Sequence, residues 1–200
     1  TTDELIPSGE TSSYRSNPLG LAEFTLSRKD PAYVGRAKEV QKAEKARIAG
    51  ASISEANAEV AAAFDQVAKQ MAVNPSATEI GSVIYATKPG DGSAREQAAS
   101  CQKVLGGLAN IAKEYATKRY RSNLINWGML PFLIDGELPF KNGDYIFLKD
   151  IKKAVVEKQS EITAYVVGDT LVPFTVRLGE LTDDEREIIT KGCLINYYRG

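Results

Sequence analysis

The segment from Gly81 to Ala99 constrains the fold of this chain more than any other. It begins with an apolar run, Gly-Ser-Val-Ile-Tyr-Ala, which is typical of a buried strand, and it ends in Arg-Glu-Gln-Ala-Ala, which opens a helical pattern. Between these two parts, Lys-Pro-Gly-Asp-Gly predicts a tight turn. The segment therefore predicts a strand, a glycine turn and a helix N-terminus in succession.

The start of the predicted helix has the properties of an anion-binding site. Its first backbone N–H groups have no partner within the helix, and the positive end of the helix dipole lies at the same place. Ser93 adds a hydroxyl there and Arg95 adds a guanidinium. A ligand that carries a carboxylate is therefore expected. A P-loop is excluded, because no Gly-Lys-Ser or Gly-Lys-Thr follows the glycines.

Charge and hydropathy argue against other partners. The 25 basic and 26 acidic residues nearly cancel, which argues against a nucleic-acid or anionic-membrane surface. No apolar run approaches the ~20 residues that a membrane span needs, and the first residues do not have the pattern of a signal peptide. We expect a cytoplasmic protein without a membrane partner. Because the sequence starts without Met, we also expect a piece of a longer chain.

Cysteine and histidine content limits the available chemistry. Cys101 and Cys193 stand far apart, which predicts neither a disulfide framework nor a zinc site, so both are expected to be small buried side chains. The chain has no histidine, which excludes a Ser–His–Asp triad and histidine metal ligation. Proton transfer must then use Ser, Tyr, Lys, Asp or Glu.

The first half of the chain contains a helical block. Asp30-Pro31 predicts a helix capped by Asp30 and ended by Gly50, and Ser54 is the predicted cap of a second helix. The second helix carries an amphipathic stripe, which indicates a core or helix–helix contact. The stripe consists of Ile53, Val60, Phe64, Val67 and Met71.

After Asn74-Pro75 strands and helices alternate, which predicts an α/β domain with a small mixed sheet or barrel. Strands are predicted at 80–86, 108–111, 128–132, 145–148, 162–167 and 171–176, the last two joined in a hairpin at Gly168-Asp169. Helices are predicted at 93–104 and 115–125, and Thr182 with Glu185 predicts a capping box for a final one.

Three separated segments resemble the C-terminal swivelling domain of the aconitase superfamily. Residues 1–15, with Thr-Thr-Asp-Glu, Pro7 and Tyr-Arg, resemble its opening, and residues 92–99 resemble its Gly-Ser-Ser-Arg-Glu-His-Ala-Ala loop. Asn-Leu at 123–124 with Gly-Met-Leu-Pro-Phe at 128–132 resembles its Asn-Leu…Gly-Leu-Leu-Pro-Leu run. The resemblance implies one swivelling β/β/α domain over 1–200, the C-terminal fragment of a larger hydratase, with a helical hairpin inserted at about 30–75.

The resemblance also implies a function. Enzymes of this superfamily reversibly dehydrate a hydroxy polycarboxylate, here expected to be citrate- or isocitrate-like. A [4Fe-4S] cluster binds the substrate hydroxyl, and its ligands lie on the N-terminal domains of the enzyme. Those domains are therefore the expected partners, no metal is expected on this chain, and the isolated chain is expected to be inactive.

Each site residue is assigned by its place in these segments. The resemblance implies that Ser93 is the catalytic base, that Arg95 and Arg15 bind substrate carboxylates, and that Asp3 orients an arginine or the substrate hydroxyl. Ala94 stands where the family usually has a second serine, so its backbone N–H is expected to contact a carboxylate. Local alternatives are a plain N-cap for Ser93, surface salt bridges for the arginines and a loop or cap role for Asp3.

Two other functions stay open at this point. Gln97 replaces a family histidine, which together with Ala94 indicates a divergent branch with altered substrate preference or reduced activity. One alternative is a non-catalytic anion- or RNA-binding module, which the absence of a basic stripe disfavours. The other is an interaction domain whose helical block docks on a partner, which requires the apolar stripe to be exposed.

Overall fold

The computed structural model describes Leu5, Ala22, Thr25, Leu26 and residues 29–92 and 95–191. Within these residues a six-stranded mixed sheet is flanked by helices. In chain order the elements are α1 (Tyr33–Ile48), α2 (Ile53–Ala56), α3 (Ala58–Gln70), β1 (Ser82–Ala86), α4 (Arg95–Val104), β2 (Gly107–Ala112), α5 (Lys118–Asn126), β3 (Leu130–Leu133), β4 (Ile146–Leu148), α6 (Ile151–Val156), β5 (Glu161–Val166), β6 (Val172–Leu178) and α7 (Asp183–Lys191). The predicted α/β class with a small mixed sheet is confirmed, and the sheet is open.

The sheet brings the ends of three parallel strands to one edge. The strand order is β1-β2-β3-β6-β5-β4, in which β1, β2 and β3 run parallel and the remaining pairs are antiparallel. The contact between β3 and β6 is short, with Phe132 opposite Leu178 and Leu133 opposite Arg177. The loop that follows β1 leaves the sheet at the carboxyl edge and leads into α4. Open α/β sheets bind their ligands at this kind of edge.

Two large apolar clusters hold the described part of the domain together. The first joins α1, α4 and α5 to β1, and the second joins α6 and α7 to β2, β3, β5 and β6. Tyr120 and Phe132, the largest fully buried side chains, belong to the first and the second cluster respectively. Leu124 and Ile125, neighbours on α5, also divide between the two clusters, so α5 lies where they meet.

The first helix starts later than predicted. α1 ends before Gly50, whose φ of +72° suits glycine, as expected. The prediction that Asp30 caps this helix is wrong, because a turn closed by the bond from Tyr33 N to Asp30 O (3.0 Å) separates the two. Ala32 precedes α1 without a side-chain cap, and the Asp30 carboxylate instead forms an ion pair with Arg36.

The second predicted helix is two helices, and Ser54 caps neither. Ser52 Oγ accepts the N–H of Glu55 (3.3 Å), so Ser54 lies inside α2. Asn57 then takes an extended conformation, and its Oδ1 accepts the N–H of Val60 (3.2 Å) at the start of α3. Serine and asparagine are about equally favoured at N-caps, so the sequence does not separate these neighbouring candidates.

The apolar stripe of the helical block is packed, as predicted for a core contact. Val60 and Val67 are 3% and 5% exposed. Ile53 and Phe64 pack against the cluster that contains Ile80. The interaction-domain hypothesis needs this stripe exposed, and its burial contradicts that requirement.

Side-chain hydrogen bonds tie the helical block to both halves of the sheet. Gln41 Nε2 on α1 donates to the carbonyl of Val104 at the end of α4 (3.1 Å). Gln70 Oε1, at the end of α3, accepts the N–H of Leu171 between β5 and β6 (2.9 Å). The block therefore reaches from the helix of the predicted site to the far hairpin.

Short-range turn signals in the second half are confirmed. Asn142–Gly143 forms a turn before β4, closed by the bond from Asp144 N to Lys141 O (3.1 Å). β5 and β6 pair as a hairpin around Gly168–Asp169. These signals are local, because the residues that make the turn also determine its backbone conformation.

One later helix is confirmed and another lies outside the predictions. Thr182 and Glu185 exchange both bonds of a capping box before α7, at 2.9 and 3.1 Å. α6 is short and follows Asp150, which has a φ of +53° and provides no side-chain cap, so its start carries no sequence signal. Among the described residues, no helix has the length and apolar character that a membrane crossing requires.

Candidate functional site

Of the predicted site residues, Arg95 lies in the described part of the chain. Asp3, Arg15, Ser93 and Ala94 lie outside the described residues, so their roles stay predictions. The structure does describe both ends of the loop in which Ser93 stands. The geometry of the site is therefore the geometry of those ends and of what holds them.

The loop between β1 and α4 requires glycine. Gly90 and Gly92 have φ values of +100° and +124°, which side chains rarely permit. A Cβ on Gly90 would lie 2.4 Å from Cβ of Tyr120, so no larger residue fits there. β1 ends at Ala86 and α4 begins at Arg95, which confirms the predicted strand, glycine turn and helix N-terminus.

Residues 113–117, between β2 and α5, hold this loop in place through hydrogen bonds to its carbonyls. The bonds run from Lys113 N and Glu114 N to Thr87 O (3.1 and 3.2 Å), from Ala116 N to Pro89 O (2.9 Å) and from Thr117 Oγ1 to Gly90 O (3.2 Å). With its carbonyls held from that side, the loop has a defined conformation up to the residue before Asp91. The loop from Thr87 to Gly90 is thus placed by neighbouring structure as well as by its own sequence.

Arg95 has a donor that no described residue uses. It is the first residue of α4 and is half-buried, and its Nε is buried without a hydrogen-bond partner among the described residues. An unpaired buried N–H costs about 1–3 kcal/mol. An acceptor supplied by a ligand would remove that cost. A carboxylate at the helix N-terminus fits, because it meets the guanidinium and the helix dipole together.

Three further polar residues lie under the loop, and the sequence predictions missed them. Gln102 on α4, Asn110 on β2 and Tyr120 on α5 are buried and hydrogen-bonded to one another. A signal was present in the sequence. Gln102 falls on the same helical face as Ala98, and Asn110 stands inside an apolar strand, so each is a polar residue at a core position.

The residues described by the structure do not form a metal site. No group of three or more Cys, Asp or Glu side chains among them could hold a metal ion. Cys101 is 2% exposed, and burial raises the pKa of its thiol to about 11. Because the thiolate is the metal-binding form, this cysteine is poorly suited to be a ligand.

A second concave region lies at the end of β3. It is an open crevice of about 370 Å³, in which Arg177 makes two hydrogen bonds to Asp135 (2.7 and 3.0 Å). The Arg177 guanidinium lowers the pKa of the Asp135 carboxyl. Glu137 and Glu161 also line the crevice, so carboxylates outnumber cations. Neither the β1–α4 loop nor Arg95 lines it, and a polycarboxylate would be repelled there.

The fold and the loop agree with comparisons to known proteins. The sequence profile of the family described as Aconitase C-terminal domain matches residues 30–137, more than half of the chain, and the chain therefore belongs to this family. The matched span runs from α1 past β3 and includes the β1–α4 loop. The predicted membership is confirmed.

A curated relative and a solved structure add detail. The chain is 32% identical over 127 residues to the "Methanogen homoaconitase small subunit" of Methanocaldococcus jannaschii, a match that covers 62% of this chain and 66% of the relative, just under two thirds of its length. The crystal structure of 3-isopropylmalate dehydratase from the same organism has a TM-score of 0.59 at 24% identity and covers 99% of this chain and 85% of that chain. This likeness shows a shared fold.

Proposed function

We propose that this chain is the swivelling domain of an aconitase-type hydro-lyase, with 1–200 as one domain and 30–75 as its helical insertion. The observation that carries the proposal is the β1–α4 loop. A loop of the matched family lies at a sheet edge suited to ligands and begins a helix at Arg95, whose buried Nε has no partner among the described residues. The names of the two relatives, a homoaconitase subunit and a dehydratase, support this reaction class.

The substrate of the proposed reaction is a hydroxy polycarboxylate of the citrate or isocitrate type. Arg95 and Arg15 would each bind a carboxylate through the planar guanidinium, which offers two parallel N–H donors. The backbone N–H of Ala94 would contribute a further donor, and Asp3 would orient an arginine or the substrate hydroxyl. With no histidine in the chain, these groups provide the polar contacts that the resemblance implies.

Ser93 is the proposed base. It would remove the proton from the carbon next to the leaving hydroxyl, and the same oxygen would return the proton during hydration. A serine hydroxyl is a very weak base, so its alkoxide needs stabilisation by N–H donors and a cation. The backbone of the Gly92 turn and the Arg95 guanidinium, on either side of Ser93 in the sequence, are the groups that would supply it.

The iron–sulfur cluster that the family resemblance implies does not fit this chain. Two cysteines and no histidine are too few for its ligands. Cys101, the described one, is buried and has a raised pKa. We therefore assign the cluster ligands to the partner domains of the same enzyme, and this chain's contribution is carboxylate binding and proton transfer.

Replacing Ser93 by alanine in the enzyme assembled with its cluster-bearing domains tests the proposal. We expect kcat for hydration of an unsaturated tricarboxylate to fall by about 10²–10⁴, the usual contribution of a positioned proton-transfer group. Tricarboxylate binding, measured by calorimetry, should remain, because the arginines are intact. The readout is the initial rate at saturating substrate.

Ser160→Ala is the matched control, because Ser160 is exposed between α6 and β5, away from the loop. It should keep the wild-type rate. A wild-type rate in Ser93→Ala would refute the assignment of the base. An assembled wild-type enzyme that binds polycarboxylates and dehydrates none of them would refute the hydro-lyase and favour the anion-binding module.

A further inference from the structure

The proposed reaction makes no use of the buried polar cluster formed by Gln102, Asn110 and Tyr120. The three residues are 0%, 1% and 0% exposed and lie in or beside the apolar cluster around α4 and α5. Burying an amide or a phenol is costly unless its polar groups find hydrogen-bond partners. An apolar core would fill the same space without that risk. The cluster therefore needs an explanation other than packing alone.

The hydrogen bonds of the cluster form a closed ring. Tyr120 Oη donates to Asn110 Oδ1 (2.6 Å), Asn110 Nδ2 donates to Gln102 Oε1 (2.6 Å), and Gln102 Nε2 donates to Tyr120 Oη (2.9 Å). The second N–H of each amide reaches a backbone carbonyl, that of Ala98 (2.8 Å) and that of Ala109 (3.0 Å). Every donor is used, so both amide orientations are determined.

The ring of hydrogen bonds joins three elements that surround the β1–α4 loop. Gln102 is on α4, Asn110 is on β2 and Tyr120 is on α5. Gln102 lies seven residues after Arg95, about two helical turns, and therefore on nearly the same face of α4. Because Gln102 makes its bonds to Tyr120 and Asn110 from α4, rotation or sliding of α4 would disturb these hydrogen bonds.

Tyr120 also contacts the loop itself. Its ring packs directly against the backbone of Gly90, where a Cβ would lie 2.4 Å from Cβ and 2.5 Å from Cγ of Tyr120. The backbone of the same turn is held nearby, because Thr117 Oγ1 accepts the N–H of Tyr120 (3.1 Å) and donates to the carbonyl of Gly90 (3.2 Å). One side chain thus touches the entrance of the loop with its ring and the helix at its exit with its hydroxyl.

We propose that Tyr120 is a positioning residue for the β1–α4 loop. Its aromatic ring fixes the position of Gly90, and its hydroxyl, through the hydrogen bonds to Gln102 and Asn110, fixes the rotation of α4 about its axis. The start of α4 then presents Arg95 to a ligand in one geometry. The ligand and the reaction rest on the proposed function. The mechanical role rests on the contacts alone.

Tyr120→Phe separates the two parts of this role. The aromatic ring stays against Gly90, while Asn110 Oδ1 and Gln102 Nε2 each lose their hydrogen bond to the hydroxyl. We expect amide hydrogen exchange in residues 87–96 of the ligand-free chain to become at least ten times faster. In the assembled enzyme we expect kcat to fall about 10–100-fold with a smaller change in KM, because misplacement by about 1 Å has costs of this size.

Two further variants distinguish positioning from simple stability. Tyr145→Phe removes a peripheral hydroxyl that donates to Glu59 (3.5 Å), and it should leave loop exchange unchanged. The apolar triple variant Tyr120→Phe, Gln102→Met, Asn110→Leu removes the whole ring of hydrogen bonds, so that no buried polar group of the ring is left without a partner. It should regain the wild-type midpoint of thermal unfolding, while loop exchange stays fast and kcat stays low.

The results can overturn the proposal in defined ways. Slow, wild-type exchange of residues 87–96 in Tyr120→Phe contradicts it, and so does a triple variant that regains kcat together with stability. If the triple variant does not fold, the single variant decides: faster exchange of the loop than of β2 supports positioning, and a uniform increase contradicts it. Exchange is measured without ligand, so an assembled enzyme with no hydro-lyase activity would refute the proposed function and leave this test intact.

Discussion

At the scale of single residues, the Nε–H of Arg95, which has no partner among the described residues, is the feature that points most directly to a ligand. Guanidinium donors inside proteins are normally paired, because an unpaired one costs stability. The alternative of a surface salt bridge would give Arg95 a carboxylate of its own chain, and the described residues provide none for its Nε. Because no described residue accepts this N–H, Arg95 is the described side chain that best supports the proposed binding of a carboxylate.

Arg95→Lys should therefore weaken the binding of tricarboxylate by about tenfold, close to 1.4 kcal/mol, because lysine cannot form the two parallel bonds. Titration calorimetry on the assembled enzyme measures this. Arg119→Lys on the exposed face of α5 is the matched control and should bind as the wild type does. An unchanged dissociation constant in Arg95→Lys would mark this arginine as structural.

The caps show what single residues reveal in advance. Thr182 and Glu185 were predictable because a capping box needs two residues at a fixed spacing, and both bonds are present. Asp30 and Ser54 were mispredicted because one polar residue near a helix start is a weak signal. Ser52 and Asn57 are the caps that were missed, and both lie within three residues of the predicted Ser54.

At the scale of elements, α7 offers a measurement of one helix. Thr182→Ala removes the hydroxyl that accepts the N–H of Glu185 (3.1 Å), and we expect the free energy of unfolding to fall by about 1 kcal/mol. Urea denaturation followed by circular dichroism measures it. Thr182→Ser keeps the oxygen and should stay within a few tenths of a kcal/mol of the wild type. Equal losses in the two variants would show that the methyl group, not the cap, matters.

A helix, strand or turn was predictable when the residues that determine it lie close together in the sequence. The hairpin of β5 and β6 and the glycine turn before α4 follow from residues within each segment. The order of the strands does not, because β3 meets β6 through only two residue pairs, Phe132 with Leu178 and Leu133 with Arg177. The Gln102–Asn110–Tyr120 ring was also missed, since its members are separated in sequence and meet only in the fold.

At the scale of the whole molecule, the two cysteines and the absence of histidine predict that the proposed partner domains, and not this chain, supply the cluster ligands. After anaerobic incubation with ferrous iron and sulfide, the isolated chain should bind no iron, whereas the assembled enzyme should. Iron analysis and visible absorption measure both. A brown, iron-loaded preparation of the chain alone would contradict the division and place cluster ligands here.

The two bonds made by Gln41 and Gln70 have a mechanical consequence. The helical block holds the end of α4 at one extremity, through Val104, and the β5–β6 turn at the other, through Leu171. The block is therefore a second connection between the β5–β6 turn and the C-terminal end of α4, besides the strands that lie between them in the sheet. Any displacement of that turn relative to α4 must break one of these two bonds or carry the block with it.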